Sequence, residues 1–235
     1  MNSKIDYKII ADKIGVTFND LELLKQAFTH RSYLNENRGS NLQHNERLEF
    51  LGDAVMELAT TDYLYRSFPN KTEGDLTSLR ASLVNTQTIS DVSGDLGFNE
   101  YLLLSRGEAK DKGRARQYIL ANTFESVIGA IYLDQGYEVA KLFIYQNLMS
   151  RLESIIQKGS WIDAKSKLQE VVQEKLGITP TYKTIKEEGP DHDKQFTVAL
   201  FYGDKEIDFG EGKSKQEAEQ DVAQKVLLKE AASSK

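Results

Sequence analysis

Apolar positions recur every three or four residues along the chain up to about residue 157, and no alternating stretch of useful length interrupts them. Leu21–Phe28, Leu48–Leu64, Leu76–Val84, Ile119–Leu133 and Val139–Ile156 each read as an amphipathic helix. Phe68-Pro69-Asn70 ends one of these helices, and Thr72 with Gly74 opens the next turn region. Between Ser105 and Arg116 the chain is polar, with Gly107 and Gly113 among Arg106, Lys110, Lys112, Arg114 and Arg116, which predicts a mobile loop.

The pattern changes after the break at Gln157–Ile162, a short linker whose Trp161 is expected to pack where two domains meet. Leu168, Val171, Val172 and Leu176 mark a helix that Gly177 and Pro180 end. Phe196, Val198, Leu200 and Tyr202 alternate as a half-buried strand should, with strands expected at Tyr182–Lys186 and Ile207–Phe209. Ala218, Val222 and Val226 mark a last helix. The expected fold is an all-α domain over 1–157, a linker over 158–162, and a small α+β domain over 163–232. The second domain runs helix, three strands, helix, with both helices on one sheet face.

Composition narrows this picture without directing it. The chain lacks cysteine, which excludes disulfides and thiolate metal sites and agrees with a reducing compartment. No leader-like apolar start and no apolar run near ~18 residues is present, so a cytoplasmic protein with no membrane partner is expected. The net charge is −6, and residues 163–235 hold 12 basic and 15 acidic side chains. That balance argues mildly against a nucleic-acid binder, so any such binding must rest on local placement of lysines.

The most specific chemistry lies in Asn45–Ala54, Asn-Glu-Arg-Leu-Glu-Phe-Leu-Gly-Asp-Ala. Glu46, Glu49 and Asp53 fall at i, i+3, i+7, along one stripe of a helix whose other side carries Leu48, Leu51, Val55 and Leu58. Like charges at such spacing cost about 0.2–0.5 kcal/mol per close pair. Divalent cations among the oxygens would offset that cost. A solvated acidic face accounts for the same pattern.

The run Asn45–Val55 resembles the signature stretch of bacterial ribonuclease III. So do Phe28-Thr-His-Arg-Ser-Tyr33 with Asn35-Glu36, Glu73-Gly74-Asp75, and Ile119-Leu-Ala-Asn-Thr-Phe-Glu125. The resemblance implies a homodimeric, Mg2+-dependent endoribonuclease. It would cut double-stranded RNA to 5′-phosphate and 3′-hydroxyl ends with short 3′ overhangs. The implied cellular roles are ribosomal RNA precursor processing and turnover of structured transcripts. By the same resemblance Glu49, Asn122 and Glu125 are metal ligands, Asp53 and Glu125 are catalytic, and Glu46 and Glu73 are supporting acids. Two Mg2+ ions can activate water and stabilise the leaving 3′-oxygen. Glu73 suits a structural salt bridge equally well. Phe50 is either a core residue or, by resemblance, a knob that enters a socket on a second subunit. The family usually has aspartate where this chain has Asn122, and an amide supplies one neutral oxygen in place of a charged one. The basic residues of 105–116 suit either RNA or solvent.

Ser214 and Glu217 form a capping-box pattern flanked by Lys213 and Lys215. Cations at a helix N-terminus oppose its macrodipole, which makes sense if a phosphate sits between them, though surface lysines arise incidentally too. Gly210–Ala223 resembles the phosphate-binding stretch of double-stranded RNA-binding domains. Asp163–Glu170 resembles their first helix, and Gly189–Phe196 the loop between their first two strands. The resemblance assigns groove contacts to Gln169, Glu170, Pro190 and His192, and phosphate contacts to Lys213 and Lys215. Gln216 stands where the family is often basic. His30, His44 and His192 are too dispersed for a histidine metal site. Two rivals remain at this level: a protein that clamps duplex RNA without cutting it because Asn122 disables the metal site, and an acidic helical scaffold.

Overall fold

The computed structural model describes residues 5–159, 161, 163–190 and 194–233. The chain divides into two compact units, 1–161 and 162–235, each with its own apolar core.

The first unit is helical: α1 Tyr7–Lys13, α2 Leu21–Ala27, α3 Arg31–Glu36, α4 Glu46–Ser67, α5 Glu73–Leu83, α6 Thr86–Asp95, α7 Arg114–Gln135, α8 Tyr137–Leu148 and α9 Leu152–Lys158. Side-chain caps fix several starts. Asp6 and Asp20 accept from the backbone N–H groups of Lys8 and Glu22, and Thr72 accepts from Asp75. The central helix is α7, whose Ile119, Ala121, Phe124, Val127, Ile128, Ala130 and Ile131 are all buried. A chain of rings runs through the core, from Phe28 to Phe98 at 5.1 Å, Phe98 to Phe124 at 6.4 Å and Phe124 to Phe143 at 5.4 Å. Each such side chain contributes about 1.5–3 kcal/mol by leaving water.

The longest contact is α4 against α7, and two glycines set its closeness. A Cβ on Gly52 would lie 1.7 Å from the Glu125 carbonyl oxygen, and one on Gly129 would lie 2.2 Å from the Leu48 carbonyl oxygen. The carboxylate-bearing turns of the two helices therefore meet backbone to backbone.

Several elements differ from the periodicity reading. The helices α1, α3 and α6 are short or polar, so their apolar spacing is weak. α7 starts at Arg114, and the stretch 139–156 breaks at a 3-10 turn over Met149–Arg151. Residues 105–113 are folded around Arg116 rather than open. Its guanidinium donates to the carbonyls of Glu108 and Asp111 and to Asn99 Oδ1, and the Glu36 carboxylate accepts from Arg106 N–H. Trp161 packs on the first unit, with the Lys71 ammonium 4.3 Å from its ring centre.

The second unit runs α10 Ala164–Leu176, β1 Thr181–Glu188, β2 Gln195–Tyr202, β3 Lys205–Gly212 and α11 Lys215–Ser233. The antiparallel sheet has the order β1-β2-β3, with Tyr182 opposite Leu200 and Leu200 opposite Asp208. Leu200 and Tyr202 pack with Leu168, Val172, Val222 and Val226 into one core between sheet and helices. Asp163 caps α10, and Gly177 closes it at φ +69°. Among the described residues no helix is long and apolar enough to cross a membrane.

A candidate active site at the crossing of two helices

The α4–α7 contact brings together residues that lie about seventy positions apart in sequence. Glu49 and Asp53 come from successive turns of α4, and Asn122 and Glu125 from facing turns of α7. Glu49 and Glu125 are half-buried, whereas Asp53 and Glu46 are exposed. Burial, then the charges of Asp53 and Glu49, push the Glu125 carboxyl up to about 8. Burial, then Glu46 and Asp53, raise Glu49 as well, while a hydrogen bond with Asn122 holds it back. Among the described residues no ion pair joins Glu49, Asp53 or Glu125 to a cationic side chain, and the shifts of Glu49 and Glu125 come from burial and neighbouring carboxylates.

Glu46 behaves differently. Its carboxylate is taken up by Arg31 at 3.3 Å, with His44 at 3.7 Å, so it sits at the rim. Glu73 opens α5, is exposed, and accepts from Thr77 Oγ1 at 3.1 Å. No hydrogen bond or ion pair among the described residues joins it to the other acids.

The donor set suits a hard divalent cation: crowded oxygens, one neutral amide, and no protein cation among them. Among the described residues no three Asp, Glu, His or Cys side chains close on one point as a finished cage. Mg2+ does not require one, because it keeps several waters and is commonly held through one or two carboxylates.

Phe50 is 82% exposed, which removes the core reading. Leu58 and Tyr65 follow it along the same exposed side of α4.

In the second unit, Lys165 pairs with Glu219 at 2.5 Å and Lys175 with Glu230 at 2.8 Å, so α10 and α11 run parallel. Lys215 pairs with Glu187 near the end of β1 at 2.8 Å. The starts of both helices and the end of β1 therefore share one end of this unit, where Lys213 and Lys215 are exposed. Gln169 and Glu170 lie midway along α10 and are exposed, as is Pro190 after β1. His192 lies outside the described residues. The capping box forms, with Ser214 Oγ accepting from Glu217 N–H at 3.1 Å. The Glu217 carboxylate accepts from Lys213 N–H at 2.8 Å.

A family profile described as Ribonuclease-III-like matches residues 20–152, and a double-stranded RNA binding motif matches 164–230. The chain is 44% identical to Ribonuclease 3 of Pelotomaculum thermopropionicum over 94% of its length and 92% of the relative's. It is 43% identical to Ribonuclease 3 of Borreliella afzelii, over 92% and 88% of the two chains. The chain belongs to the ribonuclease III family. It is an endoribonuclease of that type, and its second unit is a double-stranded RNA-binding domain. The nuclease domain of ribonuclease III from Campylobacter jejuni matches at a TM-score of 0.54 and 36% identity. That match covers 60% of this chain and 98% of the other, whose structure is described as flexible in a region involved in dimer formation.

The motif reading of this ribonuclease III passed over Gly52, Gly129, Glu57, Asn45 and Ser126. Glycines inside helical patterns were the signal that could have revealed the close crossing. Glu57 continues the acidic stripe one turn beyond Asp53, and pairs with Arg80 at 3.0 Å. Asn45 opens the acidic motif but its bonds to Ala27 and Ser126 gave no signal, and neither did Ser126, because the partners are far away in sequence.

Proposed function

We propose that this chain is a homodimeric, Mg2+-dependent endoribonuclease for double-stranded RNA, with its site at the α4–α7 crossing. The observation that carries the reading is the meeting of Glu49, Asp53 and Glu125, with no ion pair to a cationic side chain among the described residues. Glu49, Glu125 and the Asn122 carbonyl would hold the metal, and Asp53 stands at the exposed edge where substrate arrives. When bound, Mg2+ supplies charge stabilisation and an activated water for phosphodiester hydrolysis. Glu46, held by Arg31 and His44, contributes field at the rim, and Glu73 is a further acid toward the RNA. The products are 5′-phosphate and 3′-hydroxyl ends with short 3′ overhangs. The cellular work is maturation of ribosomal RNA precursors and turnover of structured transcripts in the cytoplasm.

Duplex binding is assigned to Gln169, Glu170, Pro190, His192, Lys213 and Lys215. Such a domain reads A-form shape across successive minor grooves and the phosphates between them. Phe50 serves as the dimer knob, supported by its exposure, and the dimer itself is supported by the Campylobacter jejuni nuclease domain, described as having a region involved in dimer formation. A twofold dimer suits two antiparallel strands because each protomer presents the same surface.

Glu125→Gln tests the assignment. It keeps the shape and removes the charge, so cleavage should fall by at least about 100-fold while duplex binding stays near wild type. Wild-type cleavage by this variant at ordinary Mg2+ would refute the site.

A further inference from the structure

We propose that Asn45 is a positioning residue that fixes the orientation of the first turn of α4 against α7, and thereby holds Glu49 opposite Asn122 and Glu125. The inference rests on the metal-dependent reading of that site.

Asn45 stands where a helix-capping residue is expected, and asparagine is among the best caps. It does not cap. Its backbone is already helical at φ −83° and ψ −10°, and its side chain makes no bond to its own helix. The residue is only 3% exposed. A buried amide is costly unless it is bonded, so its partners indicate its use. The side-chain amide donates to the Ala27 carbonyl at 3.2 Å, and the backbone N–H donates to the Thr29 carbonyl at 2.9 Å. Next to it, Gln26 Nε2 donates to the His44 carbonyl at 3.2 Å. These three bonds stitch the start of α4 to the end of α2. The anchor is itself fixed, because Thr29 is fully buried, bridges to Leu103, and donates from Oγ1 to the Lys25 carbonyl at 2.8 Å.

The Asn45 carbonyl faces the site. It accepts from Glu49 N–H at 2.9 Å, the first helical bond of the turn that bears the carboxylate. It also lies 3.4 Å from Ser126 Oγ, whose shorter bond, at 2.7 Å, goes to the Asn122 carbonyl. One hydroxyl thus spans the two helices at the turn that holds Asn122 and Glu125. The glycine crossing already forbids a slip by a whole residue, because any Cβ brought to Gly52 or Gly129 would enter the facing backbone. It leaves the tilt of the first turn of α4 and small rotations about its axis to be fixed elsewhere. Neighbouring side chains on a helix stand about 100° apart, so a rotation of a fraction of that angle carries Glu49 away from α7.

The test uses the full-length chain, Mn2+ as the probe, and two variants, Asn45→Ala and Ser126→Ala. Mn2+ binding is followed by electron paramagnetic resonance without RNA, alongside circular dichroism, thermal melting and cleavage kinetics in Mg2+. Folded Asn45→Ala should bind Mn2+ about 10–100-fold more weakly and lose kcat by a similar factor. Its KM for duplex RNA should stay within about twofold. Ser126→Ala should shift both in the same direction by a few-fold. A purely structural role would lower the melting temperature and leave the folded protein with wild-type Mn2+ affinity and kcat, which would overturn the proposal. If Asn45→Ala does not fold, an unchanged Mn2+ affinity in Ser126→Ala overturns it. Failure of the wild type to bind Mn2+ would instead refute the metal-dependent reading on which the inference rests.

Discussion

Glu125 holds its proton far above the ordinary carboxylate range, at about 8 against 4.5, because it is half-buried and faces Asp53 and Glu49. The folded protein therefore binds more protons than the unfolded chain across that window. Stability without divalent ions must fall as pH rises from about 4.5 to about 8, and then level off. Glu125→Gln removes this dependence, so the difference between wild-type and variant melting temperatures in chelator should widen toward pH 8. Parallel curves would show that Glu125 does not face those charges. Asn122 makes the other residue-scale prediction. Asn122→Asp adds a carboxylate oxygen, so half-maximal cleavage should need less Mg2+, while the rate at saturating Mg2+ changes less. Superimposed Mg2+ titrations would show that Asn122 is no ligand, and cleavage that appears only in the variant would favour a duplex clamp. The four acids and the amide were legible, because Glu46, Glu49, Asp53, Asn122 and Glu125 sit in motifs with helical spacing. The capture of Glu46 by Arg31 was not, since tertiary packing alone brings those two together.

The two long helices that build the site were the clearest feature of the hydrophobic pattern, and they are the ones that cross. Their closeness was unread because Gly52 and Gly129 look like weak points of a helix until the partner helix is in place. The helix α6 was missed for a related reason. Over Thr86–Asp95 it buries Ile89 and Val92 beside Ser90 and Ser93, too few apolar positions to mark a face. In the second unit the order of elements followed from strand alternation and the capping box. The ion pair between Lys215 and Glu187 did not, as it joins α11 to β1. In the proposed binding mode RNA phosphate competes with that carboxylate for Lys215. Replacing both Lys213 and Lys215 with alanine should lower the salt slope of duplex binding by about one per lost phosphate contact. An unchanged slope would mean that RNA does not meet the start of α11.

At the scale of the whole molecule, an acidic chain binds a polyanion by dividing the task between two units. The net charge of −6 is shared, since residues 163–235 hold 12 basic and 15 acidic side chains, and in the nuclease unit carboxylates gather at one crossing. In the RNA-binding domain a few lysines stand beside helix starts in an otherwise acidic background. The order of the two domains was legible because each has its own periodicity and its own core. Composition alone pointed away from nucleic acid, since it averages over sites that work locally. The decisive measurement is the size distribution of products when purified protein meets a long, perfect RNA duplex with and without Mg2+. The account predicts short duplex fragments with 3′ overhangs in Mg2+ and intact, bound duplex in chelator. Intact duplex under both conditions, or equal cleavage without any divalent ion, would contradict it.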